Sequence, residues 1–233
     1  MLFHVGIENH NEGTRSIAWA LEHPGCYAYG KDADAALAAM PGAIRAYANW
    51  ISQHEPAWLR TQNIDINVDD VWNNYFINDK FDRATASENA YAVESWFQFD
   101  WKPLSGDEIE RALKLLAWSR ADLLKLVDGL SAEKLDQAYP SEKWTINGIL
   151  RHIGGAEWWY MERLDRAFAE SKLPKAPMER MEKVRKSFLE VLPKLEGVKQ
   201  VVGLEGELWS PRKALRRALW HERDHTEHIR KLL

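Results

Sequence analysis

A single cysteine, Cys26, stands in a chain of 233 residues, which excludes an internal disulfide framework and suits a reducing compartment. An excess of positive charge is missing too. The 31 Lys and Arg against 35 Asp and Glu leave a net charge of −4, the wrong sign for a nucleic-acid footprint. No apolar run approaches the roughly 20 residues needed to span a bilayer, so no membrane association is expected. The opening Met1-Leu2-Phe3-His4-Val5-Gly6-Ile7-Glu8 lacks a basic stretch followed by a long apolar core. The expectation is therefore a cytoplasmic protein without a secretory signal. Internal repeats and low-complexity tracts are also lacking. What is present, 45% hydrophobic and 28% charged residues, describes a soluble protein large enough for a real core. Twelve tryptophans are many for this length, and packing is the expected use of most of them.

The densest chemistry lies in His221-Glu222-Arg223-Asp224-His225, with His228 just beyond. The pattern H-E-x-x-H is the zinc-protease signature, because residues four apart share a helix face and can aim two imidazoles at one metal. Eight residues (233 − 225) follow His225, too few for the downstream ligand and the sheet edge a zinc protease needs. A protease is not expected, and a third ligand is sought upstream. Ala214, Ala218, His221, His225, His228 and Leu232 step by 4, 3, 4, 3 and 4, the inward seam of a bundle helix. Imidazoles on that seam require a compensating partner, either a metal or a hydrogen-bonded histidine cluster. Glu222, Arg223 and Glu227 lie off the seam.

Two halves with different periods frame this motif. In the first hundred residues Phe3, Val5 and Ile7 alternate, as do Ile17, Trp19 and Leu21, with Asn11-Glu12-Gly13 between them as a turn signal. A short strand over Cys26–Tyr29 ends at Gly30. Asp32 caps a helix carrying Leu37, Met40, Ile44, Tyr47 and Ile51 on one face, and Pro41-Gly42 predicts a kink or a shifted start. Ile64, Ile66 and Val68 alternate again, Asp69 to Asn89 reads as turns and loop, and Tyr91–Phe99 is rich in strand formers. After Trp101-Lys102-Pro103 the period becomes helical. Ser105 and Glu108 form a capping box for a helix near 106–129, with Ile109, Leu113, Leu116, Leu123 and Val127 turned inward. Further helices are predicted near 145–170, opened by Thr145, near 178–196, and from Ser210-Pro211 onward. The fold class is thus α+β: a sheet-plus-helix domain over 1–100, then an all-α four-helix bundle over 105–233.

His4, His10, His23 and His54 fall in the first half, which leaves His152 in the second predicted bundle helix. Gly148, Gly155 and Ala156 lie near it, small residues that leave room for a metal and a ligand or allow close helix packing. The segment Thr145-Ile146-Asn147-Gly148-Ile149-Leu150-Arg151-His152-Ile153, preceded by Trp144 and followed by Glu157-Trp158-Trp159-Tyr160, resembles the second helix of DinB-like (damage-inducible B, YfiT-like) proteins. His221-Glu222-Arg223-Asp224-His225-Thr226 is similar to the H-x-x-x-H of that family's fourth helix. The resemblance covers about residues 105–233 and implies a four-helix bundle with a divalent-metal site of His152, His221 and His225. His228 has no counterpart in the pattern. In the first half, Ser16–Ala20, Leu21-Glu22-His23-Pro24-Gly25-Cys26 and the helix Asp34–Ile51 resemble the HicB-type antitoxin fold over about residues 1–60. No DNA-binding module accompanies it, so the fold carries over and the antitoxin function does not.

Two functions follow as expectations. Three neutral imidazoles leave an open metal position where a water ionises near neutral pH or a thiol binds as thiolate. The DinB resemblance accordingly implies a metal-dependent enzyme of the thiol S-transferase or hydrolase type, with a small thiol or other small molecule as substrate. Glu222 is the candidate general base by the H-E-x-x-H analogy, although it stands about 100° around the helix from His221, where a solvated face is the alternative. The second expectation is a non-catalytic binding module in which the antitoxin-like half takes a toxin-like protein partner and the metal is structural or vestigial. Zinc and nickel head the metals that three histidines suit, with copper, iron and cobalt behind them. A homodimer is compatible with either.

Overall fold

A computed structural model describes residues 1–11, 13–59, 61–85, 90–140 and 142–233. The chain divides into two compact units, Met1–Lys102 with Val201–Trp209, and Pro103–Gln200 with Ser210–Leu233.

In the first unit the alternating apolar runs become strands β1 (Leu2–Asn11) and β2 (Arg15–Ala20), followed by β3 (Tyr27–Gly30), helix α1 (Ala33–Ser52) and β4 (Asp65–Asn73). The sheet order is β3-β2-β1-β4, with β4 parallel to β1 and the other pairs antiparallel. The turn into β3 needs Gly25, whose φ of +84° lies in the left-handed region. Asp32 caps α1 by accepting from the Ala35 amide, and Met40, Ile44, Tyr47 and Ile51 are buried where α1 packs on β2 and β3. The helix passes through Pro41 without a shifted start. Central β1 also buries Glu8, fully. Its carboxylate is satisfied by four neutral donors: Asn11 and Asn74 amides on Oε1 at 3.1 and 2.8 Å, Trp19 Nε1 and Ser95 Oγ on Oε2 at 3.1 and 2.7 Å. A buried carboxylate is retained only with such a shell.

The segment from Asp69 onward departs from the loop expectation. Strand β4 continues to Asn73, and β5 (Tyr75–Ile77), β6 (Arg83–Ala84) and β7 (Tyr91–Val93) make a second small sheet in the order β6-β5-β7. Asn- and Asp-rich residues form β4 because β1 offers a long parallel edge, while their own side chains stay largely at the surface. Residues 86–89 of that expectation, and Glu12 of the first turn, lie outside the described residues. The strand-rich run Tyr91–Phe99 is strand only to Val93. Phe97 then donates its amide to Asp100 Oδ2 at 3.0 Å, starting a 3₁₀ turn over Gln98–Trp101. A hairpin, β8 (Val202–Leu204) and β9 (Glu207–Trp209), belongs to this unit rather than to the helical one. Its turn residues Glu205 and Gly206 both have positive φ, the type I′ geometry that matches strand twist.

The second unit holds four long helices, α2 (Gly106–Val127), α4 (Ile146–Glu162), α5 (Pro177–Val191) and α6 (Pro211–Leu232), with a single-turn α3 (Ala132–Leu135). Their starts follow the local signals: the Ser105–Glu108 capping box on α2, Thr145 accepting from the Gly148 amide on α4, and Ser210 accepting from the Lys213 amide on α6. Helix α4 stops about eight residues before the predicted 170, where Asp165 turns to a φ of +55°. Helix α5 gives way to a 3₁₀ turn at Leu192–Leu195, because Pro193 has no amide hydrogen to continue it. Helices α2 and α6 pack together, as do α4 and α5, and α4 and α6. Leu123, Val127, Ile149, Ile153, Met181 and Ile229 lie in one core cluster.

Candidate metal centre

His152 projects from α4, and His221 and His225, one turn apart, project from α6. Their ring nitrogens converge: His221 Nε2 lies 2.9 Å from His152 Nε2 and 3.2 Å from His225 Nε2. All three ligand atoms fall within 4.8 Å of one another. Nitrogens about 2.0–2.1 Å from a shared metal lie about 2.8–3.4 Å apart for angles at the metal between about 90° and 109°, so both spacings fit a common ion. A hydrogen-bonded cluster fits less well, because the central Nε2 has a single proton or a single lone pair to serve both neighbours.

Burial sets the electrostatics. His221 is buried, and desolvation, followed by the neighbouring His225 and His152, holds its pKa well below the ordinary value. Burial, then His152 and His228, brings His225 down to about 3. Both rings are therefore neutral at physiological pH, the form in which imidazole ligates a metal. Around them the aromatic tail of α4 and its preceding residue form a wall. Trp144 stacks on His152 with centroids 4.5 Å apart and planes 30° apart, and Tyr160 meets His221 edge-on at 6.2 Å.

Of the two uses expected for the small residues near His152, close packing is the one the contacts show. A Cβ on Gly148 would sit 2.9 Å from Trp144 Cβ, so this glycine makes room for the tryptophan. Gly154 and Gly155 face Arg180 of α5, where they allow close helix approach. His228 stands apart from the converging nitrogens and pairs with Glu142 Oε2 at 2.9 Å.

Glu222, the candidate base of the H-E-x-x-H analogy, does not face solvent. It is 1% exposed, and its Oε2 accepts from Arg120 Nε at 2.7 Å and Arg185 Nη2 at 2.9 Å. Burial works to raise its pKa, but Arg185 and Arg120 outweigh it and hold the carboxyl below its usual range. A carboxylate so held is a weak proton acceptor.

The same arginines reach a second buried carboxylate. Arg185 Nε donates to Glu157 Oε1 at 2.6 Å, and Arg120 Nη2 donates to Glu157 Oε2 at 3.1 Å. Each of the long helices α2, α4, α5 and α6 thus contributes one member to a closed, charge-balanced ring. Sequence reasoning missed it. The available signal was a charged residue at an inward position of each helix, as with Arg120 between Leu116 and Leu123.

Three imidazoles from two of four packed helices define a helical unit with a candidate metal centre. Residues 115–229 match the family model described as the DinB superfamily, so this part of the chain is similar to that family. The match leaves residues 1–60 outside it. No curated protein matches the sequence significantly.

Proposed function

We propose that the helical unit is a four-helix bundle of the DinB type whose His152, His221 and His225 hold one divalent transition metal, zinc or nickel first. The observation that carries this reading is the convergence of three Nε2 atoms, with 2.9 and 3.2 Å between neighbours. When bound, such a metal supplies a Lewis acid able to activate a thiol or water at an open position. The reaction class we infer is thiol transfer or hydrolysis on a small molecule. The chain's own residues would shape that chemistry: neutral imidazoles present lone pairs, and Trp144 and Tyr160 wall the site with apolar surface. Glu222 is not proposed as the base, since two arginines donate to its Oε2 and hold its carboxyl below the usual range. Metal analysis of the purified protein tests the site, and a panel of low-molecular-weight thiols with electrophiles tests the chemistry. Metal-dependent turnover supports the enzyme; a metal spectrum unmoved by thiols, with no turnover, contradicts it.

A second reading concerns the first unit. The order β1, β2, Pro24-Gly25-Cys26, β3, α1 favours a HicB-type fold over about residues 1–60, and with it a binding role for that unit. Recovery of a small basic toxin-like protein with the full chain would support it.

A further inference from the structure

The two histidines of α6 are placed by one helix, since residues four apart share a face. His152 is different. Its nitrogen lies 2.9 Å from that of His221 only if α4 and α6 keep one register and one separation. A ligand set tolerates misplacement of about 0.5 Å. The apolar seam contains Ile149 and Ile153 of α4 and Ile229 of α6, side chains whose contacts are non-directional and fix distance and angle less sharply than a hydrogen-bonded fork.

The directional contacts lie in the buried ring. Glu222 follows His221 in the chain, and Glu157 lies five residues beyond His152, about 7.5 Å along the axis of α4. Arg120 and Arg185 each donate to both of these carboxylates, so α4 and α6 are bridged twice, at 2.6 to 3.1 Å. The third bond of each guanidinium goes to a backbone carbonyl, Met181 for Arg120 at 2.9 Å and Leu116 for Arg185 at 2.7 Å, which fixes the arginines in turn. Charge-assisted bonds from a planar fork specify distance and angle. A purely stabilising role suits such a ring poorly, because well-packed apolar residues commonly replace buried ion pairs at no loss of stability.

Resting on the metal-site reading above, we propose that Arg120, Glu157, Arg185 and Glu222 are positioning residues for the histidine cluster: by cross-bridging α4 and α6 they hold His152 against His221 and His225 at metal-ligating distance. They touch no substrate and supply no ligand.

The test separates fold from affinity. The fourfold variant R120M/E157M/R185M/E222M removes the ring without leaving a buried charge, and Arg120→Lys keeps the charge but loses the fork. Folding is read by circular dichroism and thermal unfolding, and affinity for zinc(II) and cobalt(II) by competition with a chromophoric chelator, together with the cobalt(II) absorption spectrum. The expected result is a folded fourfold variant whose metal affinity falls ten- to hundredfold with an altered cobalt(II) spectrum, and an intermediate loss for Arg120→Lys. Wild-type affinity and spectrum in a folded variant would overturn the positioning role while leaving the metal site intact. Failure of both variants to fold would make the ring a determinant of the fold itself and also overturn it. A wild-type chain that binds neither metal removes the metal-site reading, and the positioning role with it.

Discussion

Arg120 and Arg185 are related by a reciprocal exchange across α2 and α5. Arg120 Nη1 donates to the carbonyl of Met181, four residues before Arg185, and Arg185 Nη1 donates to the carbonyl of Leu116, four residues before Arg120. Each guanidinium therefore anchors on the helix turn that precedes the other. Glu157 and Glu222 close the ring between them, and the paired charges cancel. Burial alone would lower the pKa of Arg185, and the two carboxylates instead raise it, so its guanidinium stays ionised.

Glu157→Leu leaves two buried guanidiniums facing one carboxylate. Breaking one partner of a buried pair costs about 3–5 kcal/mol. Urea unfolding should show a loss of that order, whereas replacing all four members by methionine should cost little. Equal losses for the two variants would contradict this.

Gly148→Ala places a Cβ 2.9 Å from Trp144 Cβ, and that atom belongs to the base of the side chain rather than a flexible end. Trp144 must then leave His152. The gain in helix propensity, about 1 kcal/mol, partly offsets the clash. The ring-current shift of the His152 imidazole protons in NMR spectra should collapse toward the unstacked value, and an unchanged shift would show that the stack survives.

His4 and Asp69 pair at 2.9 Å on the first unit. The hydrogen bond that His4 Nδ1 donates to the Asp69 carboxylate raises the His4 pKa above 6.5. For Asp69, burial works upward, but His4 and Asn67 outweigh it and hold the group below 3.8. The His4 contribution to stability is complete below about 6.5 and is lost as pH rises through its raised folded value. The Asp69 contribution is present above about 3.9 and is lost as pH falls through its lowered folded value. An NMR titration should place His4 above 6.5, and Asp69→Asn should lower it; a midpoint unmoved by that substitution would remove the pairing.

Much of this arrangement is legible in the residues themselves. Helix starts are local events, and Ser105, Thr145 and Ser210 cap the helices they were expected to open, because a side-chain oxygen and a nearby amide settle the matter. The histidine spacing on α6 is equally local. Helix ends and strand pairings depend on distant partners. Residues 69–73 continue a strand because β1 lies beside them, although their own composition reads as turn and loop. Glu222 shows the same limit at the site. Its position off the histidine line suggested solvent or the metal, whereas arginines 102 and 37 residues away in sequence determine its role.

The account rests most heavily on the three-histidine centre, and metal analysis of the purified full chain is its most direct test. The expectation is one divalent transition metal per chain in the wild type, falling to trace occupancy in His152→Ala while circular dichroism shows the helices intact. Full occupancy retained without His152 would contradict the account.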